Sequence, residues 1–260
     1  MVAMNCKTAE QIERMRKAGQ VVQLVLDRMR EMIAPGVTTE QLNDEAERIC
    51  LDHGAACLFK SVPSQHGAGP FPAAICTSVN DEVVHGIPSG REIRRGDIAS
   101  IDFGVRLDGW CADAARTFIV GRVDLETCRL VDITRNSLAM AVAMVRPGRM
   151  WSDVARAIQE YIEHEGFSVI RELAGHGTGR QMWEPPNVPN YFSPELAPHD
   201  FPLREGLVLA VEPMANLGAP RIVYRADGWT IVTRDHKPSA HFENTIAVTA
   251  DGADVLTDER

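Results

Sequence analysis

The chemistry of this 260-residue chain is first suggested by two aspartates on what reads as one β-hairpin. In D-I-A-S-I-D-F-G-V-R-L-D-G-W-C-A-D-A-A-R-T-F-I-V (97–120), Asp108-Gly109 stands between two β-rich runs. That is the pattern of a two-residue type I′ turn. With those residues as the loop, Leu107 faces Trp110 and Gly104 faces Asp113. Side chains alternate along a strand, so Asp102 shares a face with Gly104 and Asp113. The two carboxylates become diagonal neighbours, roughly 7–8 Å apart at Cα. Ile98, Ile101, Phe103 and Val105 surround the first; Ala112, Ala114 and Ala115 surround the second. Like charges in apolar surroundings must be protonated, paired or metal-bound. The alternative is that one or both face solvent, and the apolar flanks weigh against it.

Two further carboxylates sit at the margins of apparent core strands. Glu212 ends L-V-L-A-V-E-P-M, and Glu243 precedes the apolar end of S-A-H-F-E-N-T-I-A-V-T. His176 adds one imidazole between Gly175 and Gly177, residues that allow close backbone approach. Four carboxylates balance two divalent cations, so the set suits a dinuclear site. Oxygen ligands with one nitrogen suit manganese, iron or cobalt, with zinc open. The spacing matches neither H-E-x-x-H, a C-x-x-C finger nor an EF-hand loop, and G-H-G-T-G-R (175–180) lacks the lysine and spacing of a phosphate loop. No G-x-S-x-G nucleophile elbow occurs. His85 closes the strand-like run N-D-E-V-V-H-G-I-P (80–88), where a strand-end site residue would stand. His241 lies two residues before Glu243 and can share its face. His53, His66, His164, His199 and His236 read as surface or loop residues.

The elements that must carry these residues follow a faint duplication. I-A-P-G-V-T-T-E-Q-L-N-D-E-A-E-R-I-C-L-D-H-G (33–54) and V-R-P-G-R-M-W-S-D-V-A-R-A-I-Q-E-Y-I-E-H-E-G (145–166) share a Pro-Gly start, apolar residues at helical spacing and a terminal glycine. A second amphipathic helix is expected upstream of each, near 9–33 and 124–146. R-G-D-I-A-S-I-D (95–102) and E-G-L-V-L-A-V-E (205–212) then share a turn glycine, an apolar strand and a carboxylate. Asp102 and Glu212 are therefore expected to face one another across a pseudo-two-fold axis. One catalytic domain is expected over 1–260, with a short tail at 1–7 and halves at about 8–122 and 123–256. The Pro-rich 184–198 segment reads as a long ordered loop.

Bulk properties fit a globular protein. Apolar residues make up 45% of the chain and charged residues 24%. A net charge of −9 without a basic run argues against nucleic-acid binding. Six scattered cysteines, with no C-x-x-C pair and no signal-like start, point to free thiols in a reducing cytoplasm. No stretch reaches membrane-spanning length.

From about Thr8 to Leu256 the chain resembles the type I methionine aminopeptidases, the di-metal "pita-bread" family. The resemblance rests on T-A-E-Q-I-E-R-M-R-K-A-G, N-D-E-V-V-H-G-I-P, S-I-D-F-G-V-x-x-D-G-W-x-x-D, G-H-G-T-G-R, V-E-P-M and F-E-N-T-I-A-V-T. It implies an α+β fold with pseudo-two-fold halves, a central antiparallel sheet and outer helices. It also implies two divalent metal ions (Co, Mn, Fe or Zn) on Asp102, Asp113, His176, Glu212 and Glu243, with Asp113 and Glu243 as the bridging pair. Glu212 would also shuttle the proton, and His85 would lie against the substrate near the developing oxyanion. Phe71, Cys76, Met182 and Trp229 match positions of the methionine pocket, though each could be plain core. The implied partners are peptide and nascent-chain amino termini, with ribosome association open, no membrane, and a monomeric state.

One position departs from that family. Trp183 stands where a second, substrate-orienting histidine is usual, while Arg180, Glu184 and Pro186 of the surrounding motif are kept. An indole has one N–H donor, no acceptor and more bulk. The rate or the preference beyond the first substrate residue is expected to change. An X-Pro-type peptidase or another amide hydrolase of this fold, and a non-catalytic binding module, are the alternative readings.

Overall fold

The computed structural model describes residues 4–64 and 68–258, so the expectation for His66 lies outside it. The chain opens with two helices. In α1 (Ala9–Met32), the Thr8 hydroxyl accepts from the N–H of Gln11 while the Gln11 side chain accepts from the N–H of Thr8. The same reciprocal cap, Thr38 with Gln41, starts α2 (Thr39–Asp52). Gly54 follows α2 with φ 65°, a backbone state that favours glycine.

The short strands β1 (Ala56–Cys57), β2 (Cys76–Val79) and β3 (Glu82–Val84) lead into the long hairpin of β4 (Ile98–Leu107) and β5 (Trp110–Ile119). Asp108 and Gly109 both have positive φ, 50° and 79°, and pair Leu107 with Trp110 and Gly104 with Asp113. This is the register expected from Asp-Gly.

Two more helices follow. Asp124 caps α3 (Leu125–Met144) through the N–H of Thr127. The N-cap of α4 (Trp151–His164), Met150, makes no side-chain cap bond; Asp200 instead accepts from the N–H of Ser152 across the chain. Then come β6 (Ser168–Val169), β7 (Gly175–Gly177), β8 (Glu184–Val188), a 3₁₀ turn (Pro194–His199), β9 (Val208–Val211), β10 (Met214–Asn216), β11 (Ile222–Tyr224), β12 (Ile231–Thr233), β13 (Ser239–His241), β14 (Glu243–Thr249) and β15 (Gly252–Val255). The segment 184–198 is thus not a loop throughout. Its first residues form an edge strand, where proline's missing N–H costs no ladder bond.

The main sheet runs β1-β4-β5-β14-β9-β7-β8, with β2 also on β4 and β15 on β14. Helices α1 and α2 pack together, α1 lies over β4 and β5, and α3 packs with α4 and, among the strands, with β10, β13, β14 and β15. The core divides along the same line. One apolar cluster draws on residues from Ala18 to Val120, and another mainly on residues from Leu130 to Val248. Between them, β5 meets β14 at Glu243↔Ala115 and Asn244↔Ala114. Antiparallel pairing at this seam brings the strand-borne carboxylates of the two halves onto one face. Among the described residues, no helix is long and apolar enough to cross a membrane.

Candidate metal centre

Strand register builds the site. Cys76 pairs with Asp102, Asp102 with Ala115, and Ala115 with Glu243, making one row across four adjacent strands. Glu212 stands one residue past the last strand position of β9. The neighbouring row holds Gly104 opposite Asp113 and, farther along, Thr245 opposite Ala210 and Ala210 opposite His176. Because side chains alternate, every member of both rows projects from the same face.

Three of these residues meet most closely. Asp113, His176 and Glu243 each offer a donor atom within 4.8 Å of the others. The Nδ1 of His176 is 2.9 Å from the carbonyl of Gly177, which can only accept, so Nδ1 carries the proton. That leaves the Nε2 lone pair toward Asp113 Oδ2 at 3.5 Å and Glu212 Oε1 at 3.9 Å. Thr245 steadies Asp113: its hydroxyl is 3.0 Å from Oδ1 and accepts from the Asp113 N–H. Asp102 and Glu212 line the same cavity. The glycines beside His176 serve the strands more than the site. A Cβ on Gly175 would stand 2.3 Å from the Ala210 carbonyl oxygen, and one on Gly177 would stand 2.4 Å from that of Pro185.

The carboxylates are electrostatically frustrated. Burial, then the charge of Asp113, holds the Asp102 carboxyl well above its ordinary range. Burial, then Asp102 and Asp113, does the same to Glu212, and burial with all three neighbours does so to Glu243. Asp113 is raised by burial, with His176 and Thr245 opposing. Asp102 Oδ1 is buried with no hydrogen-bond partner among the described residues. Behind the sheet, buried Arg116 donates to the carbonyls of Ala115 and Glu243 and partly offsets the Glu243 charge.

Beside this face lies an apolar compartment. Phe71, Cys76 and Met182 are buried in one cluster with Phe59 and Ala73, and Trp229 packs against it. All four expected pocket residues therefore come together, with Trp229 edge-on to Phe71 at 5.1 Å. They line one cavity of about 830 Å³ with the carboxylates, His176 and His85. Gly104 keeps it open: a Cβ there would stand 3.3 Å from Phe59 and 3.4 Å from the Met182 methyl. His85 sits just past β3 with φ 58° and its ring 6.5 Å from Trp229. Burial pushes its imidazole down to about 4, so it is neutral at pH 7.

At the mouth, Trp183 is 55% exposed and edge-on to His176 at 6.3 Å. Its loop is held independently of the indole. Glu184 accepts from the N–H groups of Arg180 and Gln181 and from Lys7 Nζ at 2.8 Å.

The profile of metallopeptidase family M24 matches residues 13–250. The chain is 42% identical over 252 residues to methionine aminopeptidase 1 of Bacillus subtilis, covering 97% of this chain and 98% of that one. The chain belongs to metallopeptidase family M24. Its fold is the pita-bread fold, superposing on the methionine aminopeptidase of Thermotoga maritima with TM-score 0.92 at 41% identity over 99% of this chain and 100% of that one. The prolidase of Pyrococcus furiosus shares the fold at TM-score 0.78 and 22% identity, with 98% of this chain covering 66% of that one.

A metallopeptidase needs a cation, and this M24 face fits one. Buried, mutually repelling carboxylates, an unpartnered Asp102 Oδ1 and an imidazole lone pair are what a divalent ion would satisfy. His53, His164, His199 and His236 are exposed, as expected. His241, two residues before Glu243, is the histidine of the cavity that the expected metal and catalytic set does not include. It lines the cavity, 2% exposed, with Nε2 3.7 Å from Glu212 Oε2. The signal was its two-residue spacing from Glu243.

Proposed function

We propose that this chain is a metal-dependent methionine aminopeptidase that removes the initiator methionine from peptides and nascent chains. The observation that carries this reading is the compartment of Phe71, Cys76, Met182 and Trp229 opening directly onto the carboxylate face. An unbranched thioether fits such an apolar, sulfur- and aromatic-lined space. The fully covered relatives named methionine aminopeptidase support the same reaction.

Asp102, Asp113, His176, Glu212 and Glu243 would hold two divalent ions, with cobalt, manganese, iron and zinc all compatible with the donor set. Ions bound there supply water activation and Lewis-acid polarisation at neutral pH. Glu212 holds and moves the proton, accepting it from water and returning it to the leaving amine. Neutral His85 faces the scissile group and donates to the developing oxyanion. The apolar wall excludes water around the methionine side chain. Trp183 shields the mouth above His176, where the second substrate residue lies, and sets a bulkier indole where a substrate-orienting histidine would donate to the peptide group.

The reading extends to one catalytic domain over residues 1–260, built from halves at about 8–122 and 123–256, acting as a cytoplasmic monomer. The test is methionine release from Met-Ala and Met-Gly peptides with added Mn²⁺ or Co²⁺. Faster cleavage of X-Pro than Met-X peptides would overturn the assignment.

A further inference from the structure

One imidazole on this face has no role in the reaction as assigned. His241 ends β13, paired with Met214 of β10. Its backbone is clamped: its N–H donates to the Thr117 hydroxyl at 2.9 Å, and that hydroxyl donates to its carbonyl at 2.8 Å. Its neighbours in chain and register, Ala240, Phe242 and Met214, are buried and apolar. Nε2 of His241 is buried and has no hydrogen-bond partner among the described residues. A buried polar atom left without a hydrogen bond is destabilising, so an apolar residue would suit plain core better.

The nearest acceptor is Glu212 Oε2, at 3.7 Å. The other oxygen of that carboxylate, Oε1, is 3.9 Å from Nε2 of His176. Glu212 is thus flanked by two imidazoles, one on each oxygen. His176 belongs to the tight donor group with Asp113 and Glu243, and His241 does not. A distance of 3.7 Å is longer than a hydrogen bond, and catalytic contacts commonly tighten when a site is loaded.

We propose that His241 is a positioning residue for Glu212, its Nε2–H donating to Oε2 and so fixing which oxygen of Glu212 is turned toward the His176 side of the cavity. The inference rests on the role assigned to Glu212 above. It places a partner behind the proton-carrying ligand, as the second partners of metal ligands commonly do.

The test compares His241→Phe and His241→Gln with the parent in three measurements: thermal midpoint without metal, Mn²⁺ affinity by calorimetry, and kcat and KM on a Met-Ala peptide. Phenylalanine keeps the ring shape and removes the donor. Its midpoint is expected to stay near the parent's, while Mn²⁺ affinity or kcat falls roughly 10–100-fold with KM little changed. Glutamine restores an N–H and is expected within about threefold of the parent, since amide and imidazole N–H donors are alike in strength. If the phenylalanine chain does not fold, donor-free His241→Leu takes its place with the same expectations. Parent-like affinity and kcat in a folded donor-free variant, or glutamine no better than that variant, would overturn the proposal. A parent that binds Mn²⁺ but releases no methionine overturns the assigned reaction instead, and metal affinity alone still decides the role of His241.

Discussion

The carboxylate face and the cavity mouth are built in opposite ways. Asp102, Asp113, Glu243 and His176 ride on strands whose register sets every side chain, down to the glycines that let β7 lie against its neighbours. Moving one of them means slipping a strand, which would turn the whole row to the other side of the sheet. The mouth is assembled from residues between strands: His85 after β3, Trp183 on a turn held by Glu184, Trp229 before β12. There an exposed residue can change without disturbing the anchor beneath it. Trp183, exposed and hydrogen-bonded by neither Glu184 nor Lys7, is such a change. The chemistry is therefore fixed by pairing, while substrate preference is open to adjustment one loop residue at a time.

Four substitutions or conditions bear on that contrast. The largest effect belongs to the face: Glu212→Gln removes the proton carrier and is expected to lower kcat about 10²–10⁴-fold in steady-state assays. Activity retained in this variant would move the proton to another group. Next comes the mouth. Trp183→His is expected to raise kcat/KM on Met-Ala peptides by about tenfold or more, toward the ~10²–10³ that one transition-state donor is worth. Its thermal midpoint should not move, because the Glu184–Lys7 anchor is untouched; an unchanged rate would mean that the indole already serves. Gly104→Ala sits where the regions meet. Its methyl would crowd Asp113 as well as Phe59 and Met182, raising KM for methionine peptides roughly tenfold, as expected for about 1–3 kcal/mol of pocket fit, and lowering Mn²⁺ affinity as far as Asp113 is displaced. Leucine peptides, compared in the same assay, should suffer more.

The smallest effect is on stability. Asp102, Glu212 and Glu243 are raised in the metal-free protein, so their contribution is present below the unfolded value near 4 and is lost as pH rises. Burial lowers His85 to about 4 and His241 to about 3, with opposite sign: that stability is present above about 6.5 and is lost as pH falls. Mn²⁺ relieves only the carboxylates. Its gain in thermal midpoint is expected to be larger at pH 8 than at pH 5, at about 2–4 °C per kcal/mol. A gain independent of pH, read by scanning fluorimetry, would separate metal binding from this cluster.

The same contrast explains what could be read before the structure. Asp108-Gly109 specified the hairpin register, and with it the shared face of Asp102 and Asp113, because a two-residue I′ turn leaves no freedom in pairing. The repeated Pro-Gly segments marked α2 and α4, which start a few residues beyond each. The spacing of His241 from Glu243 gives it a face but no role, since its neighbour Glu212 lies 29 residues away on another strand end. Arg116 behind Glu243 was hidden for the same reason. The Pro-rich 184–198 segment misled because proline marks loops in general, and only the edge position of β8 makes a strand there tolerable. The pocket residues Phe71, Cys76, Met182 and Trp229 could each have been ordinary core. Only their gathering into one cavity beside the carboxylates distinguishes them.

The central claim is that the strand-borne carboxylate face and the adjoining apolar compartment act as one methionine-releasing site. The most direct measurement is methionine release from a Met-Ala peptide by metal-stripped protein titrated with Mn²⁺. The account predicts no release without metal, a rise with added Mn²⁺ that saturates near two ions per chain, and little cleavage of an otherwise identical Leu-Ala peptide. Absence of methionine release at every metal loading would contradict it.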